Sequence, residues 1–281
     1  MNLLILGAGG MVGHVATIRL KELGHNVTGF ARKKFTFCET IIGDAMKVDW
    51  SEIVRGYDAV VNCIGILNKA VDADSYKGIY LNACLPHLLA KYAKRVIHIS
   101  SDCVFSGHDN GSYKENDFRS TDTMYGRTKA LGEINDNNNF TIRTSIVGPD
   151  INENGIGLFN WFMKQQELAK GYTNAIWSGV TTLVFAEAVN EALKQNTTGL
   201  YHLTNGEKIS KFKLLKLFNE LRTKPIGIEP YEGVKEDRSL ICTRKDFSFQ
   251  VPTYGNMMKS IGKWITDYKE LYPKYIVQGV K

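Results

Sequence analysis

Tyr125 and Lys129 stand four residues apart in Tyr125-Gly126-Arg127-Thr128-Lys129, so on a helix the phenol and the ammonium share one face. That spacing is common on exposed helices and specifies nothing alone. Upstream, Ser100-Ser101-Asp102 closes the apolar run Val96 to Ile99. Ser101 is therefore expected at the carboxyl end of a strand, where open α/β sheets bind ligands. The three side chains suit carbonyl reduction: a hydroxyl to hold the oxygen, a phenol to protonate it and a cation beside the phenol. A free phenol has a pKa near ~10, and Lys129 is expected to lower it. Ser101 has a second reading as a strand-end cap, and Asp102 reads either as a turn-forming acid or as a substrate contact.

Such chemistry needs a hydride source. Gly7-Ala8-Gly9-Gly10-Met11-Val12-Gly13 follows a strand and opens a helix, the context that gives a glycine fingerprint its meaning. Missing Cβ atoms let the backbone turn sharply and approach a pyrophosphate at the helix N-terminus. Val12 stands where the strict Rossmann pattern has its third glycine, which favours the short-chain reductase variant. After the second strand comes Phe30-Ala31-Arg32-Lys33, cations where an NAD enzyme places an acid. NADPH is the expected cofactor, with NADH second. Gly7, Gly10, Met11, Val12, Gly13, Arg32 and Lys33 are the candidate cofactor contacts, with Asp44 and Ala45 near the adenine and Cys63, Ile64 and Gly65 lining the site from the fourth strand. Tyr125 and Lys129 complete that set, the ammonium reaching the ribose.

The elements that must position these groups alternate. Short apolar runs at Leu3 to Leu6, Val27 to Phe30, Thr40 to Ile42, Ala59 to Cys63, Val96 to Ser100 and Thr141 to Thr144 are mostly separated by helical stretches, beginning with Met11 to Leu23. That alternation predicts an α/β fold with a doubly wound parallel sheet of Rossmann type. The pattern loosens after Pro149. Residues 1–149 are read as the dinucleotide-binding domain, with 179–204 returning to it through a strand at Gly199 to Thr204. Residues 150–178 and 205–281 form a smaller C-terminal substrate lobe, with helices at Lys211 to Arg222 and Met257 to Leu271. In that lobe Phe159, Asn160, Trp177 and Arg238 are candidate substrate contacts, an aromatic to stack on a base and a guanidinium to pair with a diphosphate. The other reading of Trp161 and Trp177 is ordinary core packing.

Composition narrows the partners. The 281 residues are 43% hydrophobic, yet no apolar run approaches the ~18 to 20 needed to span a bilayer, and no basic region precedes the first apolar stretch. Five cysteines in an odd, scattered set read as reduced thiols, with no metal spacing and a cytoplasmic location. The net charge of +6 is dispersed apart from Arg32-Lys33-Lys34, so small anionic ligands explain it better than nucleic acid. His98, inside the fifth strand, reads as a satisfied core residue.

Together the motifs resemble the extended short-chain dehydrogenase/reductase (SDR) proteins, and within them the dTDP-4-dehydrorhamnose reductase group. The resemblance rests on Ile5 to Gly13, Val61-Asn62, Leu81-Asn82-Ala83, Ser100 to Phe105, Tyr125 to Glu133 and Arg143-Thr144-Ser145. It is specific to about Ser145 and weaker beyond. It implies a catalytic triad of Ser101, Tyr125 and Lys129 and reduction of a nucleotide-linked 4-keto-6-deoxy sugar, bound by the C-terminal lobe over the nicotinamide. Cys103 and Ile146 replace a tyrosine and a tryptophan of that group, so a different hexose, UDP-linked and N-acetylated, is also considered. Two other functions share the motifs: an NAD-dependent nucleotide-sugar epimerase, and a non-catalytic NADP-binding regulatory subunit. A homodimer is the one assembly considered.

Overall fold

The computed structural model describes residues 1–277. Seven parallel strands form the central sheet, in the order Gly199–His202, β6 (Phe140–Arg143), β5 (Val96–Ile99), β4 (Ala59–Asn62), β1 (Asn2–Leu6), β2 (Asn26–Ala31) and β3 (Glu39–Ile42). Helices cover both faces, which is why the inner strands read as continuous apolar runs instead of alternating ones. Leu3 and Ile5 join a core on one face, Leu4 and Leu6 a second core on the other.

The chain winds outward from β1 to β3 and then crosses back to β4, so strand order reverses between β1 and β4. A crevice at the carboxyl ends results. Leu6 pairs with Asn62, which makes the loops after β1 and β4 leave the sheet side by side. Helix α1 (Met11–Glu22) follows the glycine turn and ends before Gly24, whose φ of +89° suits only a residue without a side chain.

Beyond Pro149 the chain builds smaller pieces. Leu168–Tyr172 pairs in parallel with Gly227–Tyr231, and Ala175–Trp177 lies between Ile209–Ser210 and Glu236–Asp237. The helix Thr182–Gln195 packs against α1, and the next strand, Gly199–His202, joins β6. One continuous core runs from Leu3 and Val15 to Phe162, Leu214 and Trp264. The last helix is Tyr254–Asp267, starting three residues before the sequence expectation because Thr253 caps it, its side chain accepting from Asn256 N–H. Among the described residues, no helix is long and apolar enough to cross a membrane.

The C-terminal segment backs the glycine turn. His14 on α1 is fully buried, with Nδ1 2.8 Å from the Gly10 carbonyl and Nε2 2.6 Å from the Tyr272 hydroxyl, which also accepts from Trp264 Nε1 at 2.9 Å. Burial pushes the His14 imidazole down to about 4, so it is neutral at pH 7.

Candidate active site

The helix carrying Tyr125 and Lys129 spans Met124–Leu131 and starts where Thr123 accepts from Gly126 N–H at 3.0 Å. Gly126 fixes its position. A Cβ there would stand 2.2 Å from the Cys103 carbonyl and 2.1 Å from Thr121 Oγ1, so only glycine lets this helix lie on the turn Asp102–Val104. That contact brings Tyr125 to Ser101. Ser101 also caps the turn, its Oγ accepting from Cys103 N–H at 3.1 Å while donating to Asp102 Oδ1 at 3.2 Å. Capping and facing Tyr125 are thus compatible.

Burial raises the Tyr125 phenol above its ordinary range, Cys103 adds to the rise, and the facing Ser101 hydroxyl and Arg238 guanidinium oppose it. The phenol is held protonated, ready to donate. The offsetting cation is Arg238, which differs from the expectation that Lys129 would supply it. Lys129 is buried and turned to the floor of the site, donating to the Ile99 carbonyl at 2.6 Å. Burial pushes its ammonium down to about 8, against the pull of Glu133 and Cys63.

Asn82, quoted above only as part of a motif, ties the site together. It lies fully buried in the π-helical segment Ile79–Cys84. Its Oδ1 accepts from Ile66 N–H at 3.0 Å, and its Nδ2 donates to the Ile66 carbonyl at 3.0 Å and to Thr128 Oγ1 at 3.2 Å. The loop after β4 is thereby fastened to the helix that carries Tyr125 and Lys129. No local sequence signal marks this role, because both partner residues, Ile66 and Thr128, are distant in sequence. Beneath the helix, Glu133 receives Arg143, Arg119 and the Ser100 hydroxyl.

At the switch point the residues fit a dinucleotide. Gly7 has φ +77°, and a Cβ on Gly13 would fall 2.1 Å from the Gly7 carbonyl, so turn and helix meet at a distance no other residue permits. A Cβ on Gly9 would meet open space. Helix α1 begins with no side-chain cap and no acid in its first turn, leaving its N-terminal dipole for an anion. Gly7 packs against Cys63 and Ile64, so both loops face one crevice, with exposed Gly65 beside them. Met11 and Val12 are half-buried at the start of α1, and Arg32 and Lys33 are exposed just beyond β2. Asp44 is exposed after β3 with Oδ1 accepting from Met46 N–H at 3.0 Å, while buried Ala45 accepts from Trp50 Nε1.

The substrate candidates divide. Asp102 and Arg238 join the cluster around Tyr125: burial raises the Asp102 carboxyl, with Arg238 and Lys211 opposing, and Arg238 Nη1 lies 3.6 Å from Cys103 Sγ. Arg238 also pairs with Glu236 at 2.8 Å, and Lys211 reaches Glu236 at 3.8 Å. Glu236 and Lys211 were not singled out in the sequence, lacking any motif. Asn160 does not join them. It is fully buried behind the glycine turn, its Nδ2 donating to the Gly148 and Ile156 carbonyls and its Oδ1 accepting from Tyr275. Trp177 is 4% exposed against Tyr254, and Phe159 1% exposed against Phe218 and Tyr275, leaving no ring face for a base.

Strand order and a glycine turn at the switch point place the chain among Rossmann-like α/β proteins. The chain belongs to the RmlD substrate binding domain family, whose model matches residues 1–239. It is 27% identical to the spore coat polysaccharide biosynthesis protein SpsK of Bacillus subtilis, over 73% of each chain. Another curated relative matches over a shorter stretch: the dTDP-4-dehydrorhamnose reductase of Mycolicibacterium smegmatis is 34% identical over 47% of this chain, covering 40% of that relative. Among solved structures, the dTDP-4-dehydrorhamnose reductase of Bacillus anthracis in complex with NADP superposes with a TM-score of 0.77 at 18% identity, covering 92% of this chain and 98% of that one. The UDP-N-acetylglucosamine 4-epimerase of Methanobrevibacter ruminantium superposes with a TM-score of 0.79 at 16% identity, over 95% and 98%.

Proposed function

We propose that the protein is an NADPH-dependent oxidoreductase that reduces the 4-keto group of a nucleotide-linked 4-keto-6-deoxy sugar in polysaccharide biosynthesis. The observation that carries this reading is the protonated phenol of Tyr125 facing Ser101 at the carboxyl end of β5, in the same crevice as the glycine turn. Bound there, a reduced nicotinamide would supply hydride. Ser101 holds the carbonyl oxygen, Tyr125 donates the proton that oxygen takes up, and Lys129 completes the catalytic triad from the floor of the site. Asp102 and Arg238 orient the sugar. Arg32 and Lys33 are suited to a 2′-phosphate, which favours NADPH and a net reduction over an epimerase that recycles bound NAD.

The division of labour proposed is a dinucleotide-binding part at 1–149 joined by 179–204, with 150–178 and 205–281 binding the nucleotide sugar. Cys103, packed against Arg238, and Ile146 stand where the rhamnose enzymes carry a tyrosine and a tryptophan, which supports a hexose other than the rhamnose precursor, UDP-linked and N-acetylated. All five cysteines are free thiols, in keeping with a cytoplasmic enzyme. A thermal-shift panel of dTDP-, UDP-, GDP- and CDP-sugars with NADPH selects the substrate class, since a ligand of the native state raises the melting temperature. NADPH consumption with the matching 4-keto sugar then tests the reaction. Tyr125→Phe should reduce turnover by roughly 10²-fold or more; unchanged turnover would sink the assignment.

A further inference from the structure

One buried titratable group beneath the site has no part in the chemistry above. His98, on β5, is fully buried, and both ring nitrogens face polar side chains. Its Nδ1 lies 3.2 Å from Asn62 Nδ2 at the end of β4, and its Nε2 lies 3.5 Å from Lys129 Nζ. The Asn62 amide cannot turn over freely, because its Oδ1 already accepts from Ile64 N–H at 3.1 Å. The amide nitrogen therefore donates to His98. A neutral imidazole that accepts at Nδ1 carries its proton on Nε2. That proton points at Lys129, where an ammonium offers only donors and a neutral amine offers a lone pair.

We propose that Asn62 and His98 form a positioning pair that fixes the imidazole proton on Nε2 and thereby favours the neutral amine of Lys129. The groups facing Lys129 are His98 from β5, Cys63 after β4 and Glu133 beyond the end of its own helix; His87 from the helix Leu85–Tyr92 acts on His98. Glu133 and Cys63 favour the ammonium, so the pair is the polar group that opposes them. Burial drives both partners the same way, Lys129 to about 8 and His98 well below its usual value. Lys129 then exchanges its proton close to neutrality instead of standing as a permanent charge. The effect on turnover rests on the catalytic reading of Lys129 given above, but the protonation state does not.

The test needs no substrate. In ¹⁵N-histidine-labelled protein, His98 should show the Nε2–H tautomer, and in protein carrying ¹³C at lysine Cε the Lys129 resonance, assigned by its loss in Lys129→Met, should titrate near 8. Asn62→Asp offers an acceptor to Nδ1, moves the proton there and should raise the Lys129 midpoint by about one pH unit or more. His98→Gln, which can present a carbonyl to Lys129, should raise it as well. To separate the tautomer from the added carboxylate, Asn62→Asp is repeated in a His98→Phe background, where most of its shift should vanish. An Nδ1–H tautomer in the unsubstituted protein, or a Lys129 midpoint that does not move in either single variant, overturns the pair. If the midpoint moves while the alkaline limb of kcat/KM with the keto sugar stays put, the pair stands and the catalytic assignment of Lys129 fails.

Discussion

Arg143 grips Glu133 through two parallel hydrogen bonds, Nε to Oε1 at 2.7 Å and Nη2 to Oε2 at 2.6 Å, with both side chains withdrawn from solvent. Burial works against the Glu133 charge, and Arg143, Ser100 and Arg119 together outweigh it, holding the carboxyl below the usual range. The remaining Arg143 nitrogen meets His202 Nε2 at 2.7 Å, so one guanidinium joins β6, the strand Gly199–His202 and the exit of the helix that carries Tyr125.

Breaking that pair from one side should be costly. Glu133→Gln leaves a buried guanidinium without its counter-charge and is expected to destabilise the fold by about 3–5 kcal/mol. Urea denaturation of Glu133→Gln, Arg143→Met and the double variant measures it. The double variant should recover much of the loss, and strict additivity would show that the two residues do not act together.

The glycine turn yields a prediction on cofactor affinity. Gly13→Ala places a methyl against the Gly7 carbonyl, a backbone atom that cannot move aside cheaply. NADPH should bind at least ~10-fold more weakly, a change of about 1.4 kcal/mol. Fluorescence titration of NADPH reads this directly, and an unchanged Kd would mean that the cofactor lies elsewhere.

Cofactor choice depends on the cations after β2. Replacing Arg32 and Lys33 together by alanine should remove one or two charge-assisted hydrogen bonds, weakening NADPH by roughly 10- to 100-fold. NADH should be nearly unaffected. Equal losses for both cofactors would contradict a role at the 2′-phosphate.

Acid should destabilise the protein through its buried histidines before its carboxylates titrate. Burial lowers His14 to about 4; burial and then Arg143 lower His202 to about 4; burial, with Lys129 beside it, holds His98 well below its usual value. Between pH ~6.5 and ~4 the unfolded chain binds protons that the native state refuses, so this stability is complete above ~6.5 and lost as pH falls. Each histidine should account for about 2 kcal/mol between pH 7.5 and 5. His14→Gln removes one such proton, and its urea midpoint should depend less steeply on pH over that range.

The sheet, the glycine turn and the Ser101, Tyr125 and Lys129 placement were legible because each depends on local pattern: apolar runs bounded by turns, a glycine at a strand exit, two residues one helical turn apart. Asn160 and Trp177 were misread because distant residues decide their surroundings. Tyr275 takes the Asn160 carbonyl from 115 residues away, and Tyr254 covers the Trp177 ring. The charge beside Tyr125 was misassigned for the same reason, since Arg238 arrives from a far segment while Lys129, a neighbour in sequence, points elsewhere. His98 was read correctly as satisfied, but only the fold reveals that Lys129 is one of its partners.

The bond between His14 and Tyr272 has a consequence for the order in which the protein is made. Strand β1 and the glycine turn leave the ribosome long before Tyr272, so the imidazole behind that turn acquires its hydroxyl partner only after 258 further residues have been added. Domains generally form from the N-terminal end during synthesis. Here an early loop waits for residues made much later, and a nascent chain stalled before Tyr272 holds the glycine turn without the anchor behind it.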